Sequence, residues 1–347
     1  MALDRLLARA RQVCRLAALL HDTGHGCFSH AAEPVLHKGS DHESLTVHLL
    51  KTPEFFGTLL DEKFFEGCAK LTASLIKPEP DFAPQTQILR DIVSGEVDAD
   101  RSDYLLRDSH HCGVDYGRFD HRRLIECLTV WPNEDTGELV IGINFDGIHS
   151  FESLILARYQ MNTQVYYHRL RRIYDYYLKE YFRSLGKSDF DSPKKILDWH
   201  DIRAMNQLFI AADRAGPGCG FASRITNREH HRDVFSLDEG DGPQDVKTAK
   251  RVLKEIRNKY PCIDFIGDFP DKPITIHKIA RDDDSDDSLT DFPLVDRGRR
   301  TSLGERSQIL KTLPRTYRVG FIFAGVKDKK IRDEIAARCR IIRDKNS

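Results

Sequence analysis

Four stretches, residues 3–22, 41–52, 85–112 and 149–184, repeat apolar side chains at three-or-four spacing, which commits the first half of the chain to packed helices. The last stretch carries its stripe through Leu154, Ile155, Met161, Val165, Leu170, Ile173 and Tyr177 and predicts one long helix. Strand signals are few. Residues 138–144, ahead of Asp146-Gly147, read as one arm of a hairpin, and residues 317–324 as a strand before a helix over 328–342. Beyond about residue 185 the pattern loosens, with helices expected over 198–213 and 244–259 between Gly- and Asp-rich turns. Residues 281–288 form an acidic low-complexity run, and with Asp296-Arg-Gly-Arg-Arg they read as a mobile loop. The expected fold class is mainly α, with a smaller α+β C-terminal region. The expected domains are a helical core over 1–184, a helical extension over 185–275, an acidic/basic flexible loop over 276–305 and a strand–helix element over 306–347.

Charge excludes several classes of function. The 53 Lys and Arg residues nearly balance the 54 Asp and Glu residues, which argues against a polycation for nucleic acid and against an acidic disordered chain. The longest apolar runs, 16–20 and 319–326, are too short for a membrane-spanning helix, so no membrane partner is expected. The eight cysteines are dispersed without a C-x-x-C pair, a pattern that suits reduced thiols in the cytoplasm better than a disulfide scaffold or zinc ribbon. The Arg-rich segment 1–20 runs unbroken into His21-Asp22 and reads as a structural helix, not as a transit peptide.

Three His-acid dipeptides occur where composition alone gives about 2.3, so context must separate them. His200-Asp201 follows Trp199 at a helix start and reads as a cap. His21-Asp22 instead ends an apolar helix and is followed by Thr23-Gly24-His25-Gly26 and Ser29-His30. Adjacent imidazole and carboxylate can share one divalent ion, and small glycines allow close approach. Further along, Asp100, Tyr104, Asp108 and His111 fall on one helical face, with Gly113 as its stop. A carboxylate partly buried there needs a cation. On the long helix, Arg158, Asn162, Tyr166 and Arg169 share a face, and arginine forks match phosphate geometry.

Taken together, these segments resemble the HD-domain superfamily of metal-dependent phosphohydrolases, and more narrowly the deoxynucleoside triphosphate triphosphohydrolases. The matching pieces are residues 19–30, His42-Glu43-Ser44, residues 98–108, and 157–169, with a fainter echo at Ile225-Thr-Asn-Arg228. The likeness covers about residues 5–235 and implies an HD helical core. It implies His21, Asp22 and Asp100 as ligands of a divalent ion (Mg, Mn, Fe or Zn), and His25, His30 and His42 as catalytic histidines with Glu33 as an orienting carboxylate. Arg101 and Arg158 would contact phosphate, Tyr104 and Asp108 the sugar 3′ hydroxyl, and Tyr166 the sugar face. His168, Arg169 and Arg228 fall on positions that bind an effector nucleotide between subunits, implying a homodimer or homotetramer. The family has a further His ligand on a preceding helix. The chain starts inside the second helix, so reduced metal affinity and impaired turnover are expected. The activity implied is hydrolysis of a dNTP to deoxynucleoside and inorganic triphosphate. The alternatives are an HD phosphohydrolase acting on a monophosphate or signalling nucleotide, and a metal-deficient, non-catalytic nucleotide-binding protein. Nucleic-acid binding through the Arg-rich faces is a weaker alternative.

Overall fold

A computed structural model describes residues 2–31, 33, 41–78, 86–133, 137–186, 190–280, 289 and 291–346. The chain is mainly α and divides into two compact units, each built from discontinuous segments. The first comprises the described residues of Met1–Gly26, His37–Met161 and His277–Pro314, and the second those of Cys27–Leu36, Asn162–Ile276 and Arg315–Ser347. These divisions differ from the boundaries read off composition, because apolar faces far apart in sequence share one core.

In the first unit, α1 (Ala2–Leu20) buries Val13, Leu16 and Ala17. Leu50 of α2 (His42–Lys51), Leu60 of α3 (Gly57–Lys63), Ala69, Ala73 and Leu75 of α4 (Cys68–Ile76), and Val93 of α5 (Gln87–Ser94) complete that core. Residues 85–112 are not one helix. Gly95 is extended, and Asp98 caps a new helix, α6 (Ala99–Cys112), by accepting the Arg101 N–H at 2.6 Å. Gly113 ends α6 in the left-handed region at φ 68°. After α7 (His121–Cys127), β1 (Leu128–Pro132) pairs antiparallel with β2 (Leu139–Asn144), so the hairpin turn precedes the arm and does not lie at Asp146-Gly147. The pass ends with α8 (Ile148–Met161).

The expected long helix stops there. Residues 162–166 widen into a π turn, with the Tyr167 N–H donating to Asn162 O, and His168 then caps a separate helix, α9 (Arg169–Ser184). A run of β-branched and aromatic side chains at 165–167 disfavours continued α geometry. Arg169 therefore does not share a helix with Arg158. The second unit continues through α10 (Pro193–Asp198), α11 (Asp201–Asp213) and α12 (Cys219–Thr226). His200 caps α11, accepting the Arg203 N–H. The segment expected as a purely helical extension also contributes strands: β3 (Arg232–Ser236), then α13 (Pro243–Lys259), β4 (Phe265–Asp268) and β5 (Ile274–Thr275).

The chain then re-enters the first unit. Residues 281–288 lie outside the described residues, but the basic half of the expected mobile loop is ordered as β6 (Pro293–Asp296) and β7 (Arg299–Ser302). Arg297 (φ 49°) and Gly298 (φ 76°) make the two-residue turn, the positive-φ pair that matches strand twist. β6 pairs parallel with β2, giving the order β1-β2-β6-β7, a pairing no local pattern announces. Two short helices follow, α14 (Leu303–Arg306) and α15 (Gln308–Thr312).

The last segment returns to the second unit. β8 (Thr316–Tyr317) pairs with β5, and β9 (Phe321–Ala324) lies between β3 and β4, antiparallel to both. The final helix, α16 (Lys329–Asn346), and α13 pack on this sheet, burying Val252, Ile256, Ile322, Ile335 and Cys339. Each such side chain contributes about 1.5–3 kcal/mol of burial. Among the described residues no helix is long and apolar enough to cross a membrane.

Candidate active site

His21 lies one residue past α1, its N–H still bonded to Ala17 O at 2.9 Å. Its Nδ1 donates to Ala18 O at 3.0 Å, which leaves Nε2 as the lone-pair nitrogen. That buried Nε2 makes no well-aligned hydrogen bond, yet faces Asp22 Oδ1 at 3.3 Å and Asp100 Oδ1 at 3.2 Å. The three ligand atoms lie within 4.8 Å of one another. Asp100 comes from the first turn of α6, so two segments distant in sequence converge here. The Asp100 carboxylate, with Asp22 adding, pushes the His21 pKa up to about 9 against an opposing pull from burial. Carboxylates that stabilise an imidazolium in this way would also attract a divalent ion at the same place. A neutral imidazole backed by a carbonyl, plus two carboxylate oxygens, suits such an ion.

Asp22 Oδ1 also lies 3.6 Å from His25 Nε2 and 3.8 Å from His42 Nε2, and these two rings stack at 3.8 Å and 15°. Thr46 fixes this arrangement. Fully buried on α2, it donates its hydroxyl to His21 O at 2.8 Å and accepts the Gly24 N–H at 2.9 Å. Thr46 was not singled out from sequence. The available signal was its place four residues after His42, a polar residue on the face that buries Leu45, Leu49 and Leu50.

A charged cluster lies at the start of α6. Asp98, 3% exposed, pairs with Arg101 Nη1 at 2.5 Å, and burial pushes its pKa up to about 6 against the pull of that guanidinium. Arg158 of α8 is 8% exposed, and burial followed by Arg101 lowers its pKa. Glu96 Oε2 lies 3.7 Å from Arg158 Nη1. Tyr104 is shifted upward by burial, while Arg158 and Arg101 favour its ionised form. Tyr104 and Asp108 are half-buried and His111 is exposed, so the polar face of α6 is partly covered at its start and open at its end.

The remaining candidates belong to the second unit. His30 donates its Nδ1–H to Glu33 Oε2 at 2.9 Å. Tyr166 closes the π turn, its carbonyl accepting from Arg171 at 2.5 Å. His168 is committed to its cap, and Arg169 bonds Asp233 at 3.2 Å. Arg228 follows α12 with a left-handed φ of 57°.

Residues 119–320 match the family model described as the HD associated region. The chain is 38% identical over 165 residues to the uncharacterized protein YwfO of Bacillus subtilis, covering 47% of this chain and 34% of that protein. It is 26% identical over 297 residues to the human deoxynucleoside triphosphate triphosphohydrolase SAMHD1, covering 78% of this chain and 44% of that protein. The chain thus spans between a third and two-fifths of two curated relatives it matches, 34% of YwfO and 39% of the uncharacterized protein MJ1154 of Methanocaldococcus jannaschii. Two solved structures share its fold. A hypothetical protein of Aquifex aeolicus superposes with a TM-score of 0.72 at 24% identity, over 94% of this chain and 79% of that one. A phosphohydrolase of Bacteroides thetaiotaomicron does so at 0.65 and 21%, over 91% and 80%.

Proposed function

The chain belongs to the HD-associated-region family, and from that premise we propose that it is a metal-dependent HD phosphohydrolase converting deoxynucleoside triphosphates to deoxynucleoside and inorganic triphosphate. The observation that carries this reading is the convergence of His21 Nε2, Asp22 Oδ1 and Asp100 Oδ1, with the imidazole tautomer set by Ala18 O. These three residues would hold the divalent ion. Such an ion, when bound, supplies Lewis-acid polarisation of a phosphate.

Other residues bind and orient. In the proposal the guanidiniums of Arg101 and Arg158 neutralise phosphate charge as it builds up. Tyr104 and Asp108, one and two turns beyond Asp100 on α6, hold the sugar hydroxyl. The stacked His25 and His42 face Asp22 Oδ1 through their Nε2 atoms and would carry proton transfers. The resemblance gives His30, its Nδ1–H taken by Glu33, the role of a further catalytic histidine, and Tyr166 that of a sugar contact. The eight free cysteines support a reducing, cytoplasmic setting.

The test is chromatography of products after incubation with each dNTP and Mg, Mn, Fe or Zn ions. Equimolar deoxynucleoside and inorganic triphosphate are expected. Release of orthophosphate or pyrophosphate, or a metal-loaded protein without turnover, would overturn the reading.

The roles that the resemblance gives His168, Arg169 and Arg228 make a nucleotide-dependent homo-oligomer part of the proposal. Light scattering should show a rise from monomer toward dimer or tetramer on adding dNTP. A mass that stays monomeric at every protein and nucleotide concentration removes that part alone.

A further inference from the structure

Glu96 has an unusual position for an acidic residue. Its side chain is only 8% exposed, and its Oε2 accepts no hydrogen bond. It faces Arg158 at 3.7 Å, beyond hydrogen-bonding range but well within range of Coulomb attraction. Asp98 differs: it is committed to Arg101 by two hydrogen bonds, one through the backbone and one through the guanidinium. The set is therefore two guanidiniums and two carboxylates, all between 2% and 22% exposed, and their formal charges cancel. Glu96 favours the cationic form of both arginines, and the arginines disfavour each other's charge, as the Arg158 shift records.

Resting on the reading of Arg158 as a phosphate contact, we infer that Glu96 is a positioning residue: an internal counter-ion of Arg158 that an incoming phosphate must displace, and so the residue that limits affinity for polyphosphate. A buried guanidinium without an anion is costly, which explains a carboxylate there before substrate arrives. The long contact with Arg158 is what an exchangeable partner needs. Attraction replaces a directional bond, so exchange for a phosphate oxygen forfeits no hydrogen bond. The same negative charge also repels the anion that replaces it.

The test is calorimetric binding of inorganic triphosphate to the full chain. Glu96→Gln keeps the shape and removes the charge. It should bind triphosphate about tenfold more tightly than the parent, the effect of one unit charge a few ångströms away in a partly screened site. Glu96→Asp retains the charge and should bind like the parent, which separates charge from packing. Because the proposal needs Arg158 as the phosphate contact, Glu96→Gln added to Arg158→Gln should not restore triphosphate binding. In turnover, Glu96→Gln should lower KM without raising kcat.

Unchanged or weakened binding in a folded Glu96→Gln protein overturns the inference while leaving Arg158 as a phosphate contact, provided Arg158→Gln abolishes binding. Parent binding that survives Arg158→Gln, or no binding in the parent at all, overturns the underlying reading and the inference with it.

Discussion

An Asp100→Asn protein should lose divalent-cation affinity by at least about two orders of magnitude, lose turnover with it, and melt within a few degrees of the parent. The asymmetry between function and stability follows from where Asp100 sits. Its side chain is 39% exposed on the first turn of α6, outside the apolar core, so an isosteric amide displaces nothing. Surface changes of this kind move stability by roughly 0.5 kcal/mol. For a cation the change is far larger. One of two carboxylates facing His21 Nε2 is neutralised, and a hard divalent ion gains most of its binding energy from such charges. Metal content by plasma mass spectrometry, paired with a thermal melt, makes the check independent of any assay substrate. An Asp100→Asn protein that retains stoichiometric metal would remove Asp100 from the ligand set, whatever the activity.

What could be read from the sequence divides along a physical line. His21-Asp22 and the Asp100 face of α6 were legible because metal chemistry restricts residue type, and because three-or-four spacing fixes which side chains a helix aligns. The Gly113 stop and the His200 cap were also legible, since capping is decided by a few adjacent residues, whereas the Asp98 cap was not singled out. The break at 162–168 was not. An apolar stripe continues through a π turn almost undisturbed, so periodicity cannot report that the backbone has opened. The β6–β7 hairpin was hidden for another reason. Asp296-Arg-Gly-Arg-Arg is charged, and what orders it is parallel pairing with β2, about 150 residues away by sequence number. Thr46 and Glu96 share that difficulty. Their importance comes from what they touch across the fold, Thr46 reaching back to His21 and Gly24, and Glu96 reaching forward to Arg158.

Gly24→Ala is expected to damage the site more than any other single methyl group added to the first unit's turns. A Cβ built at Gly24 would lie 2.2 Å from His42 O, 2.5 Å from Thr46 N and 2.7 Å from Thr46 Oγ1. Two of those atoms are backbone of α2, so no rotamer change relieves the overlap, and the turn carrying His21, Asp22 and His25 must separate from the helix carrying His42 and Thr46. Overpacking of this kind costs about 3 kcal/mol or more. For a unit of this size, roughly 2–4 °C of melting temperature is lost per kcal/mol. Separation also strands the Gly24 N–H that Thr46 Oγ1 now accepts and breaks the His25–His42 stack, so metal binding and turnover should fall together with stability. Gly113→Ala is the control. Gly113 has a left-handed φ of 68° but nothing within 4 Å of an added Cβ, so only the conformational cost of about 1 kcal/mol remains. Equal melting temperatures for the two variants would mean that Gly24 is not closed in by α2, and the packing of the His21–His25 turn would have to be redrawn.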